Sequence, residues 1–208
     1  MRVMIVEDQV MIRGLLETYF TKENGDQIVA SIPGAGQAVE LCRTGQVDLI
    51  LMDVQTQHRE NGLTAVREIK ARYPKIRIII VTSLVDGAVL DEAKAAGADS
   101  LWYKDSTKER LMECIRQTME GGHVFPDAPP VVRVGLADST DFTKTELKVL
   151  RYLVRGMSYT RIAAELGCEM STVKFHVANM LQKTGLENKL QLALAVSNTK
   201  LVADLSEE

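Results

Sequence analysis

The sequence predicts an α/β fold, a five-stranded doubly wound parallel sheet, followed by a small all-α domain of four helices containing a helix-turn-helix. Three observations carry this reading. Residues 1–120 alternate short, nearly continuous apolar runs with segments of helical period. A stretch rich in glycine and proline then dissolves the pattern. Everything after residue 141 has helical period and helical punctuation.

The strand candidates are RVMIVED, QIVASI, LILMD, IRIIIVTS and SLWYK. They are rich in β-branched residues and lack a polar alternate face, as strands buried on both sides do. Between them stand VMIRGLLETYF, GQAVELCRTG, LTAVREIKARY, GAVLDEAKAAG and STKERLMECIRQTME. The last begins with Ser106 and has Glu109 three residues on, the spacing of a capping box. Five strands, each followed by a helix, imply a parallel sheet covered on both faces. Residues 1–120 form this domain.

Residues 121–140 read as a linker; the run GGHVFPDAPPVVRVGLADSTD has two glycines together, three prolines and no helical period. Its VVRV segment suits either a short strand or docking on a domain. The second domain covers 141–203. Thr143 and Glu146 make a capping box, with Phe142 and Leu147 placed as a hydrophobic staple. That helix stops at Gly156. Ser158 starts a second helix, ended by Gly167; a third spans about 170–184, and a fourth runs roughly from Asn188 to Asn198. A tight glycine-bearing turn before the third helix suggests a helix-turn-helix.

Composition narrows the chemistry. The net charge is −3, yet residues 1–120 hold 15 basic and 18 acidic side chains while residues 141–200 hold 9 and 5. An acidic front and a basic rear fit two separate tasks. Cys42, Cys114 and Cys168 have no metal-ligand spacing and suit a reducing compartment. No apolar run approaches membrane-spanning length, so a cytoplasmic protein without a membrane partner is expected.

LILMD ends a buried type of strand on a carboxylate, Asp53, where an unpaired charge is costly. The other strands explain it. The first ends in Glu7 and Asp8, the fourth in Thr82, the fifth in Lys104. In a parallel sheet all of these lie at carboxyl ends, where ligands bind. Clustered carboxylates call for a cation, and Mg²⁺ takes carboxylate, carbonyl and phosphate oxygens. A carboxylate beside it can attack a phosphoryl group, with a lysine and a hydroxyl stabilising the phosphoryl oxygens.

On these residues, positions 1–120 resemble a response-regulator receiver domain, a flavodoxin-like fold. The resemblance implies that Asp53 is the phosphoacceptor, assisted by Thr82 and Lys104. It implies Mg²⁺ held by Asp8, Asp53 and the backbone carbonyl of Gln55, with Glu7 acting through water, and a sensor histidine kinase as phosphoryl donor. The chain departs from the pattern where the family usually has Met-Pro; Thr56 and Gln57 stand there, in a loop one residue longer before Gly62. It departs again at Leu101, where many receivers have Tyr or Phe. Leu101, Trp102 and Tyr103 are expected on the switch face.

In the third rear helix, MSTVKFHVANMLQKT, Val173, Val177, Met180, Leu181 and Thr184 fall on one stripe. Phe175 and Ala178 fall opposite, with Asn179 near them. Phe175 suits a thymine methyl and the small Ala178 a close approach to the groove; Thr172, Lys174 and Lys183 suit phosphate, and Asn179 either adenine or phosphate. Residues 142–196 resemble the LuxR-type helix-turn-helix through Thr143, Glu146, Gly156, Ile162, Thr172, Val173, Lys174, His176, Asn179 and Lys183. Together the two resemblances identify a NarL/FixJ-family response regulator. They imply Mg²⁺-dependent phosphorylation that switches dimerisation, domain release or both, and with it DNA binding in the major groove at inverted or tandem half-sites. The expected active form is a homodimer. The rival is a constitutive DNA-binding regulator whose receiver serves as a dimerisation module. An enzyme acting on free phosphoesters would carry a carboxylate two residues after its nucleophile; Gln55 stands there, so no catalysis beyond the domain's own phosphoryl transfer and hydrolysis is expected.

Overall fold

The structure is a computed structural model that describes residues 1–20, 25–104 and 106–202; Ala203, the end of the expected second domain, lies outside them. Five strands, β1 (Arg2–Val6), β2 (Gln27–Ile32), β3 (Leu49–Met52), β4 (Arg77–Thr82) and β5 (Ser100–Tyr103), form a parallel sheet in the order β2-β1-β3-β4-β5. They alternate with α1 (Val10–Glu17), α2 (Ala35–Cys42), α3 (Gly62–Arg72), α4 (Gly87–Ala95) and α5 (Lys108–Met119). The chain steps outward from β1 to β2, then returns past β1 to β3. The crevice where this order reverses, between the carboxyl ends of β1 and β3, is where such sheets bind ligands.

The continuous apolar runs are explained by burial on both faces. Val3, Ile5, Leu49, Leu51, Ile79, Val81 and Trp102 pack with Leu16, Phe20, Leu111, Cys114 and Ile115, from α1 and the turn after it and from α5. Strand alternation turns Met4, Ile50, Ile78 and Ile80 to the opposite face, where right-handed crossovers put α2, α3 and α4. Their buried Ala38, Val39, Leu63, Val66, Ile69, Val89 and Leu90 meet that requirement. The amino-terminal edge is pinned by charge. Buried Asp99 takes ion pairs from Lys70 at 2.5 Å and Arg77 at 2.8 Å and a hydrogen bond from the Ile78 amide at 2.8 Å. Burial pushes its carboxyl up, and these partners outweigh burial, holding it below its ordinary range. A cleft of about 640 Å³ opens at this edge, lined by Arg2, Asp48, Tyr73, Lys75 and Arg77 among others, but Arg2 and Arg77 already have carboxylate partners.

Contacts divide the described residues into two units, residues 1–83 with 87–128, and residues 84–86 with 129–202. Within the second, the VVRV segment takes the strand alternative. β6 (Arg133–Val134) pairs antiparallel with β7 (Ala137–Asp138), and buried Val134 and Ala137 join the helical core. Gly135 turns this hairpin at φ +60°, and a Cβ there would lie 2.2 Å from the Thr184 carbonyl oxygen. The helices are α6 (Lys144–Val154), α7 (Tyr159–Leu166), α8 (Met170–Thr184) and α9 (Lys189–Thr199). Thr143 and Glu146 form the expected capping box of α6, Ser158 caps α7, and Gly167 ends it in the left-handed region at φ +63°. One expected cap differs. α5 begins after Thr107, not Ser106, and no side-chain hydrogen bond caps it. Among the described residues no helix is long and apolar enough to cross a membrane.

Gly62 opens α3 directly against β3. A Cβ at this position would meet the Asp53 carbonyl oxygen at 1.9 Å. Neither backbone can give way without displacing the strand end. Gly62→Ala is therefore expected to destabilise the sheet unit by about 3 kcal/mol, measured as a lower urea midpoint with unchanged slope.

Candidate metal centre and candidate nucleic-acid interface

The carboxyl ends of β1, β3 and β5 bring together Glu7, Asp8, Asp53 and Lys104. Glu7, Asp8 and Asp53 offer carboxylate oxygens that all lie within 4.8 Å of one another. Glu7 and Asp53 are buried, and Asp8 is exposed. Lys104 Nζ bridges the buried two, 2.5 Å from Glu7 Oε2 and 2.7 Å from Asp53 Oδ2. The Val54 amide donates to Asp53 Oδ1 at 2.7 Å. Thr82, fully buried at the end of β4, accepts the Lys104 amide on its carbonyl at 2.9 Å, which registers the ends of β4 and β5.

Sequence reasoning missed several supports. The Gln9 amide donates to Glu7 Oε1 at 3.1 Å, and Arg13 Nη1 donates to the Glu7 carbonyl at 2.7 Å. Both fix Glu7 from α1 and the turn before it. A cation one helical turn past an acidic pair was a legible signal for Arg13; the backbone bond of Gln9 was not.

Burial is the dominant electrostatic fact. Loss of water pushes the Asp53 carboxyl from its ordinary 3.8 up to about 6, against the pull of Lys104 and with added repulsion from Glu7. Burial alone would depress the Lys104 ammonium, but Asp53 and Glu7 hold it above its ordinary range. Lys104 touches Glu7 and Asp53, and among the described residues no ion pair reaches Asp8, so the carboxylates of the site outnumber its ammonium. Its donors are all hard oxygens, and they face an exposed edge through Asp8. That set fits a hard divalent cation of the Mg²⁺ type, with Glu7, Asp8 and Asp53 as the available side chains. The Gln55 backbone lies on the adjoining loop, and its side chain is exposed. Such an arrangement can activate Asp53 as an oxygen nucleophile toward a phosphoryl group.

Leu101, Trp102 and Tyr103 are all buried in β5. Trp102 packs in the core formed with α1 and α5, and strand alternation turns Leu101 and Tyr103 the other way. β5 is the edge strand of the sheet, and its pleat makes these adjacent residues project differently.

In the second unit, α8 buries Val173, Val177, Met180 and Thr184. Thr172, Lys174, Phe175 and Ala178 are exposed on the other side and Asn179 is half-buried. Phe175 is 62% exposed and makes an edge contact with His176. A large exposed aromatic on a helix with small and basic neighbours suits a major groove. Lys183 departs from the expected set. Its Nζ lies 2.7 and 2.9 Å from the two Glu146 oxygens and donates to the Asp141 carbonyl at 2.9 Å. Glu146 is buried with only 2% exposure, so Lys183 is committed to neutralising it rather than turned toward a phosphate. Burial pushes the Glu146 carboxyl up, and Lys183 with Thr143 outweighs burial, holding it below the carboxylate range.

Residues 3–116 match the family described as response regulator receiver domain, and residues 140–196 match bacterial regulatory proteins of the luxR family. The chain is 25% identical to the response regulator protein VraR of Staphylococcus aureus (strain Mu3) and 26% identical to that of Staphylococcus epidermidis (strain ATCC 35984). Each alignment runs over 206 residues, 97% of this chain and 98% of the relative. Among solved structures it is similar to RcsB from Salmonella enterica serovar Typhimurium bound to promoter rprA with a phosphomimetic, at TM-score 0.59, 19% identity, 95% of this chain and 98% of that one. A LuxR-family two-component response regulator from Aurantimonas sp. matches 59% of this chain and 87% of its own, at TM-score 0.55 and 28% identity.

Two outcomes follow from the charges. The native Asp53 carboxyl titrates above its unfolded value, so between about pH 4 and 6 the folded state holds more protons and stability falls as pH rises. In EDTA, wild type should therefore lose stability relative to Asp53→Asn across that window, with a constant difference above about pH 7, read from urea midpoints against pH. Lys183→Ala should lower the stability of the helical unit by about 1–3 kcal/mol, because a buried carboxylate loses its partner. Calorimetric unfolding measures it, with the loss smaller at pH values where Glu146 is protonated.

Proposed function

The chain belongs to the response regulators of the NarL/FixJ type, a receiver domain followed by a LuxR-type DNA-binding domain, and from that premise we propose that it is a transcription regulator switched by phosphorylation of Asp53. The supporting observation is the rim at which Glu7, Asp8 and Asp53 converge within 4.8 Å beside Lys104. A sensor histidine kinase supplies the phosphoryl group. An Asp53 carboxylate oxygen attacks phosphorus, the phosphorus–nitrogen bond of the phosphohistidine breaks, and the imidazole recovers a proton. Asp8, Asp53 and the Gln55 carbonyl would hold Mg²⁺ directly and Glu7 through water, and the ion would supply charge neutralisation for the phosphoryl oxygens. Lys104 already contacts Asp53 and stays to pair with the transferred group; the Thr82 hydroxyl donates to it.

Phosphorylation adds roughly −1.5 to −2 charges at Asp53. Lys104 then leaves Glu7 for the phosphoryl oxygens, and the ends of β4 and β5, joined through the Thr82 carbonyl, adjust together. A change from mostly inactive to mostly active needs about 5.5 kcal/mol of differential stabilisation. The output is homodimerisation, release of the DNA-binding domain, or both. α8 enters the major groove with Phe175 and Ala178 at base edges, Asn179 at a base or phosphate, and Thr172 and Lys174 at phosphates. Two such helices in a dimer read half-sites about 10 base pairs apart, inverted or tandem.

The buried Leu101, where an aromatic side chain would rotate, favours a second reading: DNA binding that is independent of phosphorylation, with the receiver as a dimerisation module. Binding-site selection on random duplex DNA, then anisotropy with Mg²⁺ and beryllofluoride, separates the two. The switched reading expects a rise in DNA affinity and in dimer; equal affinity with and without beryllofluoride supports the second. Lys174→Ala should weaken all duplexes alike and reduce the slope of log affinity against log salt by about 1, whereas Phe175→Ala should narrow the preference for the selected site.

A further inference from the structure

The loop from Val54 to Asn61 is polar, yet it is tied down along its length. Gln55 and Asn61 form a bridge, made by the Thr56 amide on the Glu60 carbonyl at 3.1 Å and the Gly62 amide on the Val54 carbonyl at 2.8 Å. His58 turns the chain between them in the left-handed region at φ +62°. Three further bonds fasten the loop to the start of α2. The Ala35 amide donates to Thr56 Oγ1 at 3.1 Å, the Gly36 amide donates to Glu60 Oε2 at 2.8 Å, and the Gln57 amide donates to the Pro33 carbonyl at 3.0 Å. Thr56 is buried, and its hydroxyl also donates to the Glu60 carbonyl at 3.1 Å.

Space and charge are both matched to this anchor. A Cβ at Gly34 or at Gly36 would lie 2.9 Å from a Glu60 carboxylate oxygen, so the close approach uses both glycines. The Glu60 anion sits on an amide in the first turn of α2, where the helix end is positive. Where the receiver family usually has Met-Pro, this chain has Thr56 and Gln57. A proline at 57 would have no N–H to give Pro33, and a methionine at 56 no oxygen for Ala35. The departures from the family pattern are thus the groups that make the anchor. Among the described residues no hydrogen bond ends on the carbonyl of Gln55, the bridge residue two positions from Asp53.

We infer that Glu60 and Thr56 are positioning residues, holding the Gln55 carbonyl at the acidic rim by fastening its loop to the amino terminus of α2. Neither side chain touches the rim carboxylates; each acts through the backbone of the loop. The inference rests on the reading of that rim as an Mg²⁺-dependent phosphoacceptor site. Supports of this kind behind a metal ligand are worth about 10- to 100-fold in affinity.

The test uses the full-length chain. MgCl₂ is titrated calorimetrically into wild type, Glu60→Ala, Glu60→Gln, Thr56→Val and Thr56→Ser, and amide exchange and thermal midpoints are recorded in EDTA. The expected result is Mg²⁺ binding about tenfold weaker in Glu60→Ala and Thr56→Val, with faster exchange at Gly36 and Thr56 before any metal is added. Glu60→Gln and Thr56→Ser keep an acceptor oxygen and should restore both readouts while the midpoints stay together. Unchanged Mg²⁺ affinity in Glu60→Ala and Thr56→Val overturns the inference alone. So does a loss that follows a lower midpoint and that the conservative variants fail to restore. Wild type that takes up no Mg²⁺ overturns the phosphoacceptor reading, and the inference with it.

Discussion

One ammonium between two buried carboxylates is the constraint on which the sheet unit depends. Lys104 reaches Glu7 from the end of β5 and Asp53 from the same point, so three strand ends are joined through a single nitrogen. The arrangement is under-compensated by design of its composition: burial holds the Asp53 carboxyl well above its ordinary value even with Lys104 in contact. A site with surplus negative charge and hard oxygen donors has two ways to relax, taking up protons or taking up a divalent cation. At neutral pH the second is the more effective, because one ion answers all three carboxylates at once. The same surplus makes an added phosphoryl group a large perturbation, since Lys104 cannot serve Glu7 and the new oxygens equally.

The sheet that supports this rim was legible because its strands are apolar on both faces. LILM and IRIIIV leave no solvent face to confuse with a helix, and their alternation with amphipathic segments allows one layered topology. The rim residues were legible for the complementary reason. Asp53, Glu7 and Lys104 are charges at the ends of buried strands, where a charge needs a partner. The helical unit announced itself through caps, as the Thr143–Glu146 box and the glycines at 167 and 185 mark the ends of α6, α7 and α8.

What sequence spacing did not reveal lies in contacts between distant segments. A helical wheel puts Lys183 on a flank, free for phosphate; only the packing of α8 against the start of α6 shows that buried Glu146 claims it. The strand period shows that Leu101, Trp102 and Tyr103 project differently, but not that all three are buried, which depends on the helices packed on each face of β5. Ser106 and Thr107 are both competent caps, and local pattern could not choose between them. The anchor of the Val54–Asn61 loop is the extreme case, since its threonine and glutamate come from that loop and its glycines from the start of α2, more than 20 residues earlier, and they have meaning only together.

The two units therefore divide the work along the lines of their charge. The front gathers acidic groups at one rim, and the rear uses its buried acid, Glu146, for architecture while leaving Lys174 and Phe175 in solvent. The most direct test of the central claim is intact-mass and peptide mass spectrometry after incubation with a small-molecule phosphodonor. The account predicts one phosphoryl adduct, located at Asp53, present with Mg²⁺ and absent with EDTA. No adduct in Mg²⁺, or an adduct on a residue other than Asp53, contradicts it.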